Sequence, residues 1–94
     1  MATEVVHDQA MNRFELLVDG TSVGRADYQL RDDTIVFTHT EIDPAHREQG
    51  LGGELVRGAL NLVRAEGEQR VVPRCPFVAS WIGEHPEYQE LLRR

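Results

Sequence analysis

The chain has 94 residues, of which 40% are hydrophobic and 28% charged, and this balance predicts one folded domain over residues 1–94. The chain has 10 basic side chains, all arginines, and 16 acidic ones. The resulting net charge of −6 argues against nucleic acid or an anionic membrane as a partner. The apolar runs are far shorter than the roughly 20 residues of a membrane span, and no signal-peptide layout is present. A single cysteine excludes an internal disulfide. We therefore expect a cytoplasmic protein.

The sequence pattern predicts β-strands in the first half of the chain. Residues 13–18 alternate between apolar and polar side chains, and Asp19-Gly20 is typical of a hairpin turn. Residues 22–31 alternate again, and a second turn at Asp32-Asp33 leads into residues 34–42. Because the first two strands are polar on one face, we expect them nearer an exposed surface or edge.

The third predicted strand, residues 34–42, is apolar on both faces. Simple alternation places Ile35 and Phe37 on one face and Val36 and Ile42 on the other. A strand of this kind belongs inside a sheet that is covered on both sides.

The pattern changes after the break at Asp43-Pro44. Residues 45–50 suit neither a strand nor a good helix, whereas residues 51–65 have helical periodicity and stop at Glu66-Gly67. The apolar stripe of this helix consists of Leu55, Val56, Ala59, Leu60, Leu62 and Val63. An amphipathic helix of this length packs on a sheet.

The last third of the chain completes the predicted fold. Residues 70–73 form a short strand, and residues 76–88 form one or two short helices interrupted at His85-Pro86. A strand, a helix and a further strand make a βαβ unit with a right-handed crossover. The predicted class is therefore α+β, with a small, mostly antiparallel sheet, one βαβ unit and a C-terminal helix.

The segment between the third strand and the helix, residues 47–53, carries the clearest chemical signal. The N–H groups of a first helical turn have no intrahelical acceptor, and glycines let a ligand approach that backbone closely. With Arg47 beside them, they can form a phosphate cradle. A glycine-rich turn without a ligand is the alternative. A Walker loop is excluded because the chain has no lysine, and a dinucleotide fingerprint because the third glycine is missing.

Arg-x-x-Gly-x-Gly after a strand and before a helix resembles the pyrophosphate motif of the GNAT superfamily of N-acetyltransferases. Residues 39–42 (HTEI), residues 71–78 (VVPRCPFV) and residues 85–88 (HPEY) resemble signatures of its minimal, single-domain GNAT-like family. The resemblance runs from about Arg13 to Tyr88. It implies a GNAT-like fold and an acetyltransferase that takes acetyl from acetyl-coenzyme A and passes it to an amine.

The resemblance also implies which residues hold the coenzyme, in a gap between the third and fourth predicted strands. Main-chain groups near Ile42 should meet the pantetheine arm, and the Arg47 side chain should assist at the pyrophosphate. The backbone expected to bind the pyrophosphate is that of Gln49, Gly50, Leu51, Gly52 and Gly53. Glu48 departs from the small residue that relatives often carry there, and a carboxylate beside a pyrophosphate is repulsive unless it points to solvent.

Three residues are candidates for the chemistry. Cys75 precedes Pro76 at a predicted helix start, where the pKa of a thiol can be lowered. The thiol could accept the acetyl group or line the thioester end of the site. An ordinary buried thiol is the alternative. His39 and Glu41 share a strand face, and either could remove the proton of the acceptor amine. Buried structural hydrogen bonds are the alternative role for His39.

Other features point to no further site. The four histidines and one cysteine lack the spacing of a zinc site, so we expect no metal. Trp81, at helical spacing from Phe77 and Tyr88, is interpreted as core. An acidic surface can steer a cationic acceptor, but solubility alone is the simpler explanation of such a charge. A non-catalytic module that binds coenzyme A or acetyl-coenzyme A is the alternative function, and the sequence leaves the acceptor and the oligomeric state open.

Overall fold

The computed structural model of the chain describes residues 2–94, apart from the side chain of Glu48, so the expected effect of that carboxylate lies outside the described residues. Five strands form one sheet in chain order. They are β1 (Thr3–Asp8), β2 (Arg13–Val18), β3 (Thr21–Arg31), β4 (Thr34–Ile42) and β5 (Arg70–Pro73). Neighbours are antiparallel from β1 to β4, and β5 lies parallel to β4.

Helical segments fill the second half of the described chain. They are a 3₁₀ helix (Pro44–Gln49), α1 (Leu51–Glu66), α2 (Pro76–Gly83) and a C-terminal 3₁₀ helix (Pro86–Arg93). The α1 helix connects the parallel strands β4 and β5, which confirms the predicted βαβ unit. The α+β class, the mostly antiparallel sheet and the helical C-terminal segment are also as predicted.

The sequence pattern did not predict β1. This strand pairs with β2 along its whole length, from Thr3 opposite Val18 to Asp8 opposite Arg13, and α1 packs against it. One sheet edge therefore lies at β1, while β2 and β3 are interior strands. An edge position is wrong for both, because β1 pairs with β2 and β4 pairs with β3, whereas their polar side chains are partly or fully exposed, as the expectation of an exposed surface requires.

One face of the sheet packs against α1 and forms the core. The buried side chains of β2 are Phe14, Leu16 and Val18, and those of α1 include Leu55 and Leu60. In β4, Ile35, Val36 and Phe37 are all buried, as expected for a strand that lies inside the sheet. The apolar periodicity of the sequence thus predicted which strands and which helix face build the core.

A β-bulge interrupts the pairing of β3 with β4. Asp27 lies opposite His39 and Tyr28 opposite Phe37, so Thr38 is an extra residue of β4. The insertion moves Thr40 and Ile42 to the face that carries Phe37, and Ile42 packs against the core. The prediction that Ile42 faces away from Phe37 is therefore wrong, because alternation does not survive an inserted residue.

Candidate active site

A cleft opens where β4 and β5 separate. Their pairing ends at Phe37 opposite Pro73, and the amides of Arg74 and Cys75 both donate to the Phe37 carbonyl at 3.0 Å as the chain turns away. Beyond that point, β3 is the one described strand that pairs with residues 38–42. The cleft has a volume of about 490 Å³, and its lining consists of His39, Thr40, Glu41, Ile42, Arg47, Gly50, Gly52, Gly53 and Phe77.

The first turn of α1 forms one wall of this cleft. Gly50 joins the 3₁₀ helix to α1 in the left-handed region, at φ 71°, which a glycine adopts without strain. No side chain caps the turn, so the N–H groups of Leu51, Gly52 and Gly53 keep the partial positive charge of a helix N-terminus. Gln49 is the last residue of the 3₁₀ helix, and the Leu51 side chain is buried.

Arg47 joins this wall to the end of β4. Its Nε donates to the Ile42 carbonyl at 3.1 Å, and the Asp43 side chain accepts from the Ala45 amide at 2.9 Å, which fixes the start of the 3₁₀ helix. The terminal nitrogens of Arg47 make no hydrogen bond to the described part of the chain. The structure thus brings Arg47, Ile42 and the glycine turn together around one cleft, as the sequence predicted.

Two aromatic residues of α2 approach the glycines more closely than the sequence indicated. A Cβ on Gly52 would lie 2.8 Å from Cζ of Phe77, and one on Gly53 would lie 3.3 Å from Nε1 of Trp81. Phe77 is 46% exposed and lines the cleft instead of the core. The paired glycines were the available signal, since they permit close approach of another element.

Cys75 lies at the N-cap of α2, where its position before Pro76 predicted it. Its side chain is buried, and Sγ lies 3.4 Å from Oγ1 of Thr40, a cleft residue that the sequence analysis did not select. Burial by itself raises the pKa of the thiol. Hydrogen bonds from the Thr40 hydroxyl and from the amides of Val78 and Phe77 outweigh it, so the pKa of Cys75 is lowered.

His39 and Glu41 share a face of β4, as predicted, but the bulge directs them away from Cys75. Glu41 Oε2 lies 2.6 Å from Nη1 of Arg25, whose Nε lies 3.1 Å from Oδ2 of Asp27. Asp27, and to a lesser extent Glu41, raise the pKa of Arg25 against a partial desolvation effect. His39 is exposed and makes no hydrogen bond to the described residues. Of the two candidate bases on β4, His39 is therefore the one without a partner among the described residues.

Residues 2–94 contain neither a metal-binding cluster nor a membrane-spanning helix. No group of three or more His, Cys, Asp or Glu side chains in this range could hold a metal ion. None of the helices in the same range has the length and apolar character needed to cross a membrane.

The separated parallel strands, the uncapped glycine turn and the adjacent arginine occur together in N-acetyltransferases of the GNAT superfamily, the class that the sequence motifs resemble. Residues 13–91 match the model of the GCN5-related N-acetyltransferase family, and the chain belongs to that family. No curated protein matches the chain.

Proposed function

We propose that this protein binds acetyl-coenzyme A in the cleft between β4 and β5 and transfers its acetyl group to an amine. The observation that carries the proposal is the uncapped turn at residues 50–53, which faces the same cleft as Arg47 and the unpaired edge of β4. Such a turn binds diphosphate through backbone amides and the helix dipole. An extended pantetheine arm can then lie beside residues 38–42 as an added strand would.

The residues present fit this ligand. The Gln49–Gly53 backbone offers amide donors, Gly50 permits the left-handed bend, and the terminal nitrogens of Arg47 are available for charge-assisted contacts. The Ile42 carbonyl already accepts from Arg47, so in our proposal Ile42 positions the arginine while neighbouring β4 residues meet the arm. When bound, acetyl-coenzyme A supplies the acetyl group as an activated thioester.

Proton removal is assigned to His39. The acceptor amine must lose a proton before its lone pair can attack a carbonyl carbon. Glu41 is held by Arg25 at 2.6 Å, whereas the exposed His39 imidazole is free to accept the proton. In this proposal Glu41 has the secondary role of giving the approach to the site a negative charge, together with Asp27, because one Arg25 guanidinium is shared between the two carboxylates.

Cys75 is assigned to the thioester end of the cleft. It is 5% exposed, and it contacts Thr40, which lines the cleft, without lining the cleft itself. We therefore place the thiol as a wall of the acyl site and the transfer as direct, from the thioester to the amine. If Cys75 were acylated instead, the intact protein would gain the mass of one acetyl group after incubation with acetyl-coenzyme A, and Cys75→Ser would not.

The acceptor is assigned to the face of β4 that carries His39 and Glu41. A cavity of about 420 Å³ on this side shares Glu41 and Ile42 with the cleft. Its charged lining consists of Glu15, Glu41, Asp43, Arg13 and Arg25. The carboxylates outnumber the arginines by one, which favours a cationic amine over an anionic one.

Thermal unfolding with and without acetyl-coenzyme A tests the binding step. A ligand at roughly 100 times its Kd stabilises the folded state by about 2.7 kcal/mol. We expect Arg47→Gln to reduce this stabilisation, while Arg31→Gln, at the opposite end of the sheet, serves as the matched control. Absence of any shift at millimolar coenzyme would contradict the proposal. Binding without acetyl transfer to a panel of amines would instead identify a non-catalytic binding module.

A further inference from the structure

The side of α2 that faces α1 carries a hydrogen-bond donor without a partner among the described residues. Trp81 is 8% exposed, and it hydrogen-bonds through its carbonyl oxygen to His85 Nδ1 at 2.6 Å. Its indole Nε1 makes no hydrogen bond to the part of the chain that the structure describes. Because a Cβ on Gly53 would lie 3.3 Å from this nitrogen, the donor is directed at the first turn of α1. Nε1 itself is not one of the fully buried polar atoms, so a ligand can reach this donor from solvent.

The neighbouring rings fix the orientation of this indole. The His85 ring is stacked on it, with a centroid distance of 3.8 Å and an interplanar angle of 13°. Tyr88 meets it edge-on at 5.0 Å. With the ring held between these neighbours, Nε1 keeps its direction without a ligand, which lowers the entropic cost of binding one.

The Arg57 guanidinium lies over the same Trp81 ring. Arg57 follows Gly53 by one helical turn, and its Cζ lies 5.3 Å from the Trp81 centroid and 5.8 Å from that of Tyr88. The side chain is exposed and forms no ion pair with the described acidic residues, although Glu54 precedes it by three residues on α1. The guanidinium is therefore positioned by aromatic faces and keeps its hydrogen-bond donors for an anion.

These groups continue from the cleft along the contact between α1 and α2. Phe77 lines the cleft beside Gly52, and Trp81 follows Phe77 by one turn of α2 beside Gly53. Arg57 comes next along α1. A molecule whose diphosphate lies on the glycine turn can thus extend its nucleotide end past Phe77 to Trp81 and Arg57.

We propose that Trp81 Nε1 and the Arg57 guanidinium bind the 3′-phosphate of coenzyme A and so distinguish coenzyme A from its 3′-dephospho form. The inference rests on the proposed function, which places the diphosphate on the backbone of residues 50–53. A phosphate monoester accepts hydrogen bonds from both an indole N–H and a guanidinium, whereas a ribose hydroxyl cannot make the same charged contacts.

Calorimetric titration with coenzyme A and with dephospho-coenzyme A tests the assignment. We expect coenzyme A to bind at least about tenfold more tightly, the effect of one hydrogen bond to a charged group. Trp81→Phe keeps the ring and removes the donor, and Arg57→Gln removes the cation from an exposed position. Each should reduce the preference for coenzyme A while leaving the affinity for the dephospho form unchanged, and Arg31→Gln should behave as the wild type.

Three outcomes would overturn the assignment. Equal affinity of the wild-type protein for the two coenzymes would show that no group of the protein binds the 3′-phosphate. A preference that persists in both variants would place that phosphate elsewhere. A loss in Trp81→Phe that is equal for both coenzymes would assign the indole to the diphosphate. In each case coenzyme A still binds, so the proposed function stands; failure of the proposed function is seen instead as no binding of either molecule.

Discussion

Thr40 Oγ1 lies 3.4 Å from Sγ of Cys75, although strict alternation from Phe37 would turn Thr40 to the opposite face of β4. The bulge at Thr38 is the cause, because it inserts one residue between Phe37 and His39. The same shift turns His39 and Glu41 away from the sulfur. A single inserted residue therefore separates the thiol from the two groups that could act as a base.

The contact predicts that Thr40 controls the acidity of the thiol. Thr40→Val replaces the hydroxyl by a methyl group of similar size, so the pKa of Cys75 should rise toward or above its ordinary value of about 8.5. Thr40→Ser, which keeps the hydroxyl, should preserve the lowered pKa. Because Cys75 is the one cysteine in the sequence, thiolate absorbance against pH measures the change directly. Identical titration curves for the wild type and Thr40→Val would rule out this control.

The lowered pKa of Cys75 predicts a pH dependence of stability. Between the folded pKa and the ordinary value of about 8.5, the unfolded thiol holds a proton that the folded one has released, so stability rises with pH. The contribution is complete above the unfolded pKa and is lost as pH falls through the folded pKa. Urea unfolding of the wild type and Cys75→Ala across this range should show the slope in the wild type alone. Parallel curves would contradict the shift.

The alternating and helical patterns were enough to predict β2 to β5, α1 and the position of Cys75. They could not reveal β1, because residues 3–8 are bounded by no strong turn signal. They also could not reveal the bulge at Thr38, which arises from pairing between strands and not from the local pattern. The roles of Phe77 and Trp81 depend on how α2 crosses α1, and apolar spacing alone does not determine that angle.

Contact between Gly58 and Val5 explains how β1 docks and predicts the effect of a substitution. A Cβ on Gly58 would clash with Cγ2 of Val5. Alanine is favoured in a helix by about 1 kcal/mol, but overpacking at a tight contact costs about 1–3 kcal/mol. We expect Gly58→Ala to lower the free energy of unfolding in spite of the better propensity.

A matched control separates the two effects at Gly58. A Cβ on Gly67 meets nothing within 4 Å, so Gly67→Ala should be neutral or slightly stabilising. Adding Val5→Ala to Gly58→Ala should recover part of the loss, since the smaller side chain leaves room for the new methyl group. Chemical denaturation of the four proteins measures these differences. If Gly58→Ala instead raised the free energy of unfolding, β1 would have moved to make room for the methyl group without loss of stability.

Activity measurements can separate the roles of His39 and Glu41. A general base contributes about 10²–10⁴-fold to a rate, so His39→Gln should lower kcat by a factor in that range. Glu41→Gln should mainly raise KM for a cationic amine, because it removes negative charge from the approach and releases Arg25. The reverse pattern, with kcat lost in Glu41→Gln, would make the carboxylate the base.

The hydrogen-bonded chain at the opposite end of the sheet predicts an alkaline loss of stability. His7 Nε2 lies 2.6 Å from the Tyr28 hydroxyl, and His7 Nδ1 lies 2.7 Å from Oε1 of Glu66. Burial, followed by the charges of Glu66 and Asp8, raises the pKa of Tyr28. Above the ordinary tyrosine value of about 10, the unfolded chain therefore loses a proton that the folded chain retains, and stability falls as pH rises.

Tyr28→Phe tests this chain while keeping the ring packed between Phe14 and Phe37, whose centroids lie 5.5 and 6.3 Å away. Near neutral pH the variant should be less stable by about 1 kcal/mol, the usual effect of one lost hydrogen bond. The difference between the two proteins should narrow as pH rises past about 10, because the wild type alone bears the cost of a buried phenolate. Cys75 titrates in both proteins, so its contribution cancels in the difference. A stability difference that is constant with pH would mean that the Tyr28 hydroxyl ionises as freely in the folded protein as in the unfolded chain.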